Sequence, residues 1–217
     1  MSAPAKRTDI EIPPAGLPGT LAVPEDAGGL IVFAHGSGSS RLSPRNVKVA
    51  RGLNDWGLAT LLFDLLHPAE AADRRKVFDI GLQAERIEHA LDRVRCEASA
   101  AALPIGLFGA STGAAAALTA ASRRPLQVEA VVSRGGRPDL AGAALARVTA
   151  PTLLIVGGQD EIVIELNRWA LAALACPKRL EIVPGAGHLF EEPGKLERVI
   201  ALAAAWFGEY LRSSGAP

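Results

Sequence analysis

The chain has 217 residues and a mass of 22.6 kDa, enough for one domain that buries roughly 70% of its unfolded surface. Lys plus Arg and Asp plus Glu both number 23, so no overall positive field points to nucleic acid or an anionic membrane as a partner. Aromatic residues make up 5%, too few for a stacking platform along a single strand. Cys96 and Cys176 show neither CxxC nor Cys/His spacing, which excludes a disulfide-dense scaffold and gives no zinc signature. No signal-like apolar run opens the sequence, and no stretch of about 18 uncharged apolar residues follows. The expectation is a soluble cytoplasmic protein with no membrane, nucleic-acid or metal partner.

In chain order, the segments 9–12 and 20–23, separated by Pro- and Gly-rich residues, predict a small antiparallel pair at a sheet edge, so that 1–28 forms an edge segment of a single domain 1–217. Short apolar runs follow at 30–34, 59–63, 104–108, 128–132, 152–156 and 179–183. Most are continuous rather than alternating, the pattern of strands covered on both faces. Between them, 79–99 carries Ile80, Ala84, Ile87, Leu91 and Val94 at helical spacing, and 111–123, 161–175 and 192–212 also read as helices. Alternating strands and helices predict an α/β domain with a mostly parallel, doubly wound sheet and helices on both faces.

The strand at 104–108 runs straight into Gly109-Ala110-Ser111-Thr112-Gly113 and then an Ala-rich helix. This is G-x-S-x-G in a strand–turn–helix context. Such a turn strains the serine backbone and leaves its hydroxyl exposed, and a Cβ at either flanking glycine would collide with neighbouring backbone. A serine hydroxyl near pH 7 needs a base, and that base an acid to orient it. Both follow in chain order. The run 152–156 ends in Gly157-Gly158-Gln159-Asp160, and 179–183 ends in a Gly-rich loop carrying His188. Ser111, Asp160 and His188 are therefore the candidate catalytic residues. For the oxyanion, one donor is the N–H of Thr112, next after the nucleophile. The other is the N–H of Ser37, in the loop His35-Gly36-Ser37-Gly38 after the strand at 30–34.

The segments HGSGSS, GASTG, GGQD and GAGH together resemble the α/β-hydrolase superfamily, and the compact size is most similar to its dienelactone-hydrolase-like branch. The resemblance implies a nucleophile–Asp–His triad acting on an ester-type bond with no metal or organic cofactor. Where dienelactone hydrolases carry cysteine, this sequence has Ser111. That difference favours a serine esterase, or a related hydrolase of a thioester, lactone or amide, acting on a small-molecule ester that can be anionic.

Plainer readings compete at each position: Ser111 and Asp160 as helix N-caps, and His188 as a surface-loop residue. A catalytically silent binding module of the same fold, or a module working beside a fused or separate partner, is the rival from another class. Gly36-Ser37-Gly38-Ser39-Ser40-Arg41 imitates a dinucleotide-binding loop, but Arg41 stands where the third glycine belongs and Pro44 delays the helix. Arg41 and Arg134 follow strand carboxyl ends and are candidates to clamp a substrate carboxylate or phosphate; ion pairing with Asp64 or Asp139 is the alternative for this arginine cluster. Only residues 133–151 separate two strands where cap domains are commonly inserted, so no cap domain and an open site for small esters are expected.

Overall fold

A computed structural model describes residues 5–211. Residues 1–4, and Arg212 at the end of the helix expected over 192–212, lie outside that range. The chain forms one eight-stranded sheet: β1 (Lys6–Ile12), β2 (Leu17–Val23), β3 (Leu30–Ala34), β4 (Ala59–Phe63), β5 (Ile105–Ala110), β6 (Val128–Arg134), β7 (Thr152–Gly157) and β8 (Lys178–Val183). Spatial order is β1-β2-β4-β3-β5-β6-β7-β8. The expected edge pair is present: β1 pairs antiparallel with β2, and β2 antiparallel with β4. All the remaining pairings are parallel. Every residue of β3, β5 and β7 is buried, which explains their continuous apolar composition.

Helices cover both faces. On one, α1 (Pro44–Asp55) packs against α7 (Lys195–Tyr210) over Phe33, Phe108, Val132 and Ile155. On the other, α4 (Ile80–Val94) packs against α5 (Thr112–Arg123), and the Ala-rich α5 lets that layer approach the sheet closely. The helix α6 (Glu161–Ala173) covers β7 and β8. This is the α/β-hydrolase fold. Between β6 and β7 the described chain forms only a 3₁₀ segment, Pro138–Arg147, lying against α5, and no cap domain.

Two differences from the sequence reading bear on the site. Helix α4 stops at Val94, short of the expected 99, and Cys96 lies exposed beyond its end. Two single-turn helices that periodicity did not reveal, α2 (Pro68–Ala71) and α3 (Arg74–Val77), fold up between β4 and α4. Four residues are too short for a periodic signal, and both are built on N-terminal polar contacts instead. Asp73 accepts from the Arg75 N–H at 2.9 Å, and Glu70 accepts from the His67 N–H at 3.1 Å.

The strand order reverses around β3: β4 lies on one side and β5 on the other. Loops leaving the carboxyl ends of β3 and β5 therefore diverge over a common crevice, where open α/β sheets bind their ligands. The sheet beneath is tightly packed. A Cβ at Gly106 of β5 would lie 2.6 Å from Phe207 Cε1 and 2.8 Å from its Cδ1, with Phe207 fully buried in α7. Gly106→Ala is expected to destabilise the fold by about 1–3 kcal/mol through this overpacking. In urea titrations the midpoint should fall while the slope is unchanged.

Candidate active site

Ser111 sits between β5 and α5 with φ 52° and ψ −124°, a left-handed backbone that costs a non-glycine residue of order 1–3 kcal/mol. The flanking glycines are required by contact. A Cβ at Gly109 would lie 2.4 Å from Ala114 Cα, and one at Gly113 would lie 2.2 Å from the Ala34 carbonyl oxygen. The end of β3 and the start of α5 thus touch backbone to backbone. The His35 loop closes over the turn in the same way, since a Cβ at Gly36 would stand 2.9 Å from Ser111 Cβ. Ser111 occupies the N-cap position of α5 but makes no side-chain capping bond, so its hydroxyl is not spent on the helix.

Asp160 is likewise the N-cap of α6 without a capping bond. Its Oδ2 instead accepts the Nδ1–H of His188 at 2.6 Å. That bond places the neutral imidazole's lone pair on Nε2, the tautomer a general base needs. Asp160 is mostly buried, with its side chain 17% exposed, against 37% for His188. No hydrogen bond joins Nε2 to Ser111 Oγ. His188 directly follows Gly187 and lies against Gly135, where an added Cβ would meet His188 Cε1 at 3.8 Å and its carbonyl oxygen at 2.9 Å. Because β6 neighbours β5 (Ala110 pairs with Arg134), this contact brings the histidine loop to the strand beside the serine turn.

Three residues that the sequence reading missed hold the histidine loop. Glu192 Oε1 accepts the Gly187 N–H at 2.9 Å. Phe190 is buried at φ 58°, a conformation a bulky residue adopts only when its surroundings compel it. Glu191 pairs with Arg45 of α1 at 2.7 Å. The only sequence signal for them was proximity to His188.

His35 serves the site as a buried scaffold. Its Nδ1–H donates to the Gly36 carbonyl at 3.0 Å and its Nε2 accepts the Leu65 N–H at 3.0 Å, binding the β3 loop to the β4 loop. Burial lowers its pKa, against smaller opposing effects from the Gly36 bond and the Asp64 charge.

The two oxyanion candidates are adjacent, but not as two free amides. The Ser37 N–H donates to Thr112 Oγ1 at 2.9 Å. Beside this contact lies a cavity of about 250 Å³ lined by His35 to Ser40, Asp64, Leu66, Pro68, Ala71, Val77 and Gln83. One wall is thus made by α2 and α3, so the crevice is less open than the missing cap suggests.

Neither candidate arginine lines that cavity. Arg41 donates its N–H to Asp64 Oδ1 at 2.7 Å and pairs through Nε with Oδ2 at 3.4 Å, the ion-pair alternative. It lines a separate cavity with Arg7, Arg51 and Leu62. Arg134 is 7% exposed, and its guanidinium makes only one long 3.5 Å bond, to Asn46 Oδ1. Its Nε and Nη1 have no partner. Burial, and then the neighbouring Arg45 charge, push its pKa down to about 10. Among the described residues no cluster of His, Cys, Asp and Glu could hold a metal ion, and no helix is long and apolar enough to cross a membrane.

A strained serine after β5, an aspartate after β7 paired to a histidine after β8, and this strand order define an α/β-hydrolase. The chain belongs to the Dienelactone hydrolase family, which it matches over residues 17–209. A solved structure of a dienelactone hydrolase from Anabaena variabilis is 52% identical, covers 96% of this chain and 98% of that one, and superposes with a TM-score of 0.91. Est1E from Butyrivibrio proteoclasticus shares the fold, with a TM-score of 0.75 at 17% identity over 95% of this chain and 98% of that one. A Mycobacterium tuberculosis protein named a phosphoribosyl transferase is 55% identical over 93% of this chain. The match takes in 46% of that protein, so the chain spans about half the length of this relative.

Two outcomes test the electrostatics. The folded state resists protonating His35, so the unfolded chain binds more protons as pH falls below about 6.5, and stability should decline from there downward. In an NMR titration the His35 ring should protonate at a lower pH than a histidine of the unfolded chain. Arg134→Met removes a buried, uncompensated charge and should raise the unfolding free energy by on the order of 1–3 kcal/mol, read as a higher urea midpoint at unchanged slope.

Proposed function

We propose that the chain is a serine hydrolase that cleaves small carboxylic esters through an acyl-enzyme. The observation that carries this reading is the 2.6 Å His188–Asp160 bond, at the edge of the sheet where Ser111 occupies its strained turn. His188 Nε2 takes the Ser111 proton as Oγ attacks the ester carbonyl. The tetrahedral oxyanion is stabilised at the N-terminus of α5 by the Thr112 amide N–H. The protonated imidazole then delivers its proton to the departing alkoxide, and the carbonyl reforms as an acyl-serine. Water, deprotonated by the same Nε2, attacks that acyl group; collapse expels Ser111 and releases the acid. Asp160 holds the tautomer and stabilises the imidazolium in both halves.

The cavity beside Ser37, about 250 Å³, lies below the usual range of drug-sized ligand pockets, about 300–1,000 Å³. Ser111 and His188 do not line it, so it supports the reading as a side pocket that would take a short acyl or alcohol group rather than a long chain. Thioesters, lactones and amides use the same machinery and are the runner-up substrates. An anionic substrate remains part of the proposal only through Arg134, because Arg41 is held by Asp64. The name and length of the 55%-identical relative support a further reading, in which the hydrolase works alongside a phosphoribosyl-transferring partner.

The expected outcome for Ser111→Ala is loss of p-nitrophenyl acetate and butyrate turnover, together with loss of labelling by a fluorophosphonate probe. Asp160→Asn should lower kcat by about 10⁴-fold by favouring the wrong tautomer. A Ser111→Ala variant that retains wild-type turnover would refute the assignment.

A further inference from the structure

We propose that the Thr112 side chain is itself an oxyanion donor, relaying the Ser37 amide to the substrate; this rests on the serine-hydrolase reading above. Two main-chain amides are the usual expectation for this turn, but here the Ser37 N–H is directed at Thr112 Oγ1, 2.9 Å away. A hydroxyl that accepts one bond still has its own hydrogen to give. Thr112 is 5% exposed, and its hydroxyl donates to no group among the described residues. A buried donor without an acceptor is costly, and the group that would supply one is the oxygen that becomes negative during attack at the adjacent Ser111.

The placement supports this role. Gly36 packs onto Ser111 Cβ, and Gly113 packs onto the Ala34 and His35 carbonyls. The Ser37–Thr112 bond is therefore clamped between the nucleophile turn and the β3 loop, with no room to drift. The β-branched Thr112 has few χ1 choices, and the bond from the Ser37 N–H selects the one that places Oγ1 at the β3 loop. The relay runs from Ser37 N–H to Thr112 Oγ1, and from Thr112 Oγ1–H to the oxyanion. The first bond polarises the hydroxyl and strengthens the second. Thr112 then touches the oxyanion twice, through its N–H and its O–H, while Ser37 acts through it as a positioning residue. No bond to Thr112 is made or broken; the hydroxyl keeps its proton throughout.

A competing geometry predicts the opposite sign. If the hydroxyl merely occupied the Ser37 amide, removing it would free that amide and speed the reaction.

The test compares full-length wild type, Thr112→Val, Thr112→Ala and Thr112→Ser on p-nitrophenyl butyrate, with a trifluoromethyl ketone as a mimic of the tetrahedral anion. The expected result for Thr112→Val is a kcat about 10²-fold lower, KM within about threefold, and a similar 10²-fold loss of trifluoromethyl ketone affinity. Thr112→Ala should show the same loss should valine crowd the loop, and Thr112→Ser should stay within about fivefold of wild type. An unchanged or raised kcat in valine and alanine variants overturns the relay, as does an equal loss in the serine variant. Fluorophosphonate labelling of wild type separates the two levels. With no adduct at Ser111 and no Ser111-dependent turnover, the hydrolase reading fails and the oxyanion role with it. A Ser111-dependent enzyme indifferent to Thr112→Val and Thr112→Ala defeats the relay alone.

Discussion

The backbone contact between the end of β3 and the start of α5 is the constraint on which the site depends. Gly113 lets α5 begin 2.2 Å, in Cβ terms, from the Ala34 carbonyl, a separation no side chain could occupy. Once α5 starts there, the chain leaving β5 has only Ser111 in which to turn, and the turn forces φ to 52°. Gly109 makes the same concession on the other side, against Ala114. The fully buried strands, with α4 and the 3₁₀ segment packed on α5, hold this arrangement fixed, because relaxing the serine would mean moving α5 away from the sheet.

The histidine side of the site is built differently. His188 belongs to a loop with no strand or helix of its own, and its position is the sum of several tethers. The Asp160 carboxylate fixes the ring, the Glu192 carboxylate fixes the backbone at Gly187, and the buried Phe190 ring anchors the far end. The Glu191–Arg45 pair ties the loop to α1 across the crevice, although an exposed pair of this kind contributes little energy. The nucleophile is therefore held by packing and the base by polar bonds. That division fits their roles, since the base must shift between two partners while the nucleophile must not.

Much of this was legible in the sequence because the features involved are local. The continuous apolar runs marked β3, β4 and β6 nearly to the residue, and G-x-S-x-G announced its own turn through the glycines. Chain order, strand ends and a Gly-rich loop together singled out Asp160 and His188, whose side chains meet at 2.6 Å. What sequence could not give depends on side chains meeting across the fold. For Arg41 the sequence left a substrate clamp and an ion pair with Asp64 both open, and only the β3–β4 pairing that brings the two loops together decides for the ion pair. The single-turn helices α2 and α3 carry no periodicity, yet they wall the cavity. The Ser37 amide was placed in the correct loop, but its bond to Thr112 Oγ1 reflects how far α5 reaches toward β3, which no spacing encodes.

Several residues at this edge forgo the role their local position offers. Ser111 and Asp160 both stand at helix N-caps, where such side chains ordinarily contribute about 1 kcal/mol, and neither caps. Arg134 stands at the end of β6 with its charge buried and two of its nitrogens unpaired. Elsewhere, at Asp73 and Asp79, N-cap aspartates do accept the expected backbone N–H groups. Local rules fail here together, along the carboxyl ends of β5, β6 and β7, and that shared failure is a stronger argument for a working site than any one motif. It also sharpens what zero net charge conceals: the charges balance over the chain, while at the end of β6, in register with Ala110, a guanidinium is buried with the like charge of Arg45 acting on it.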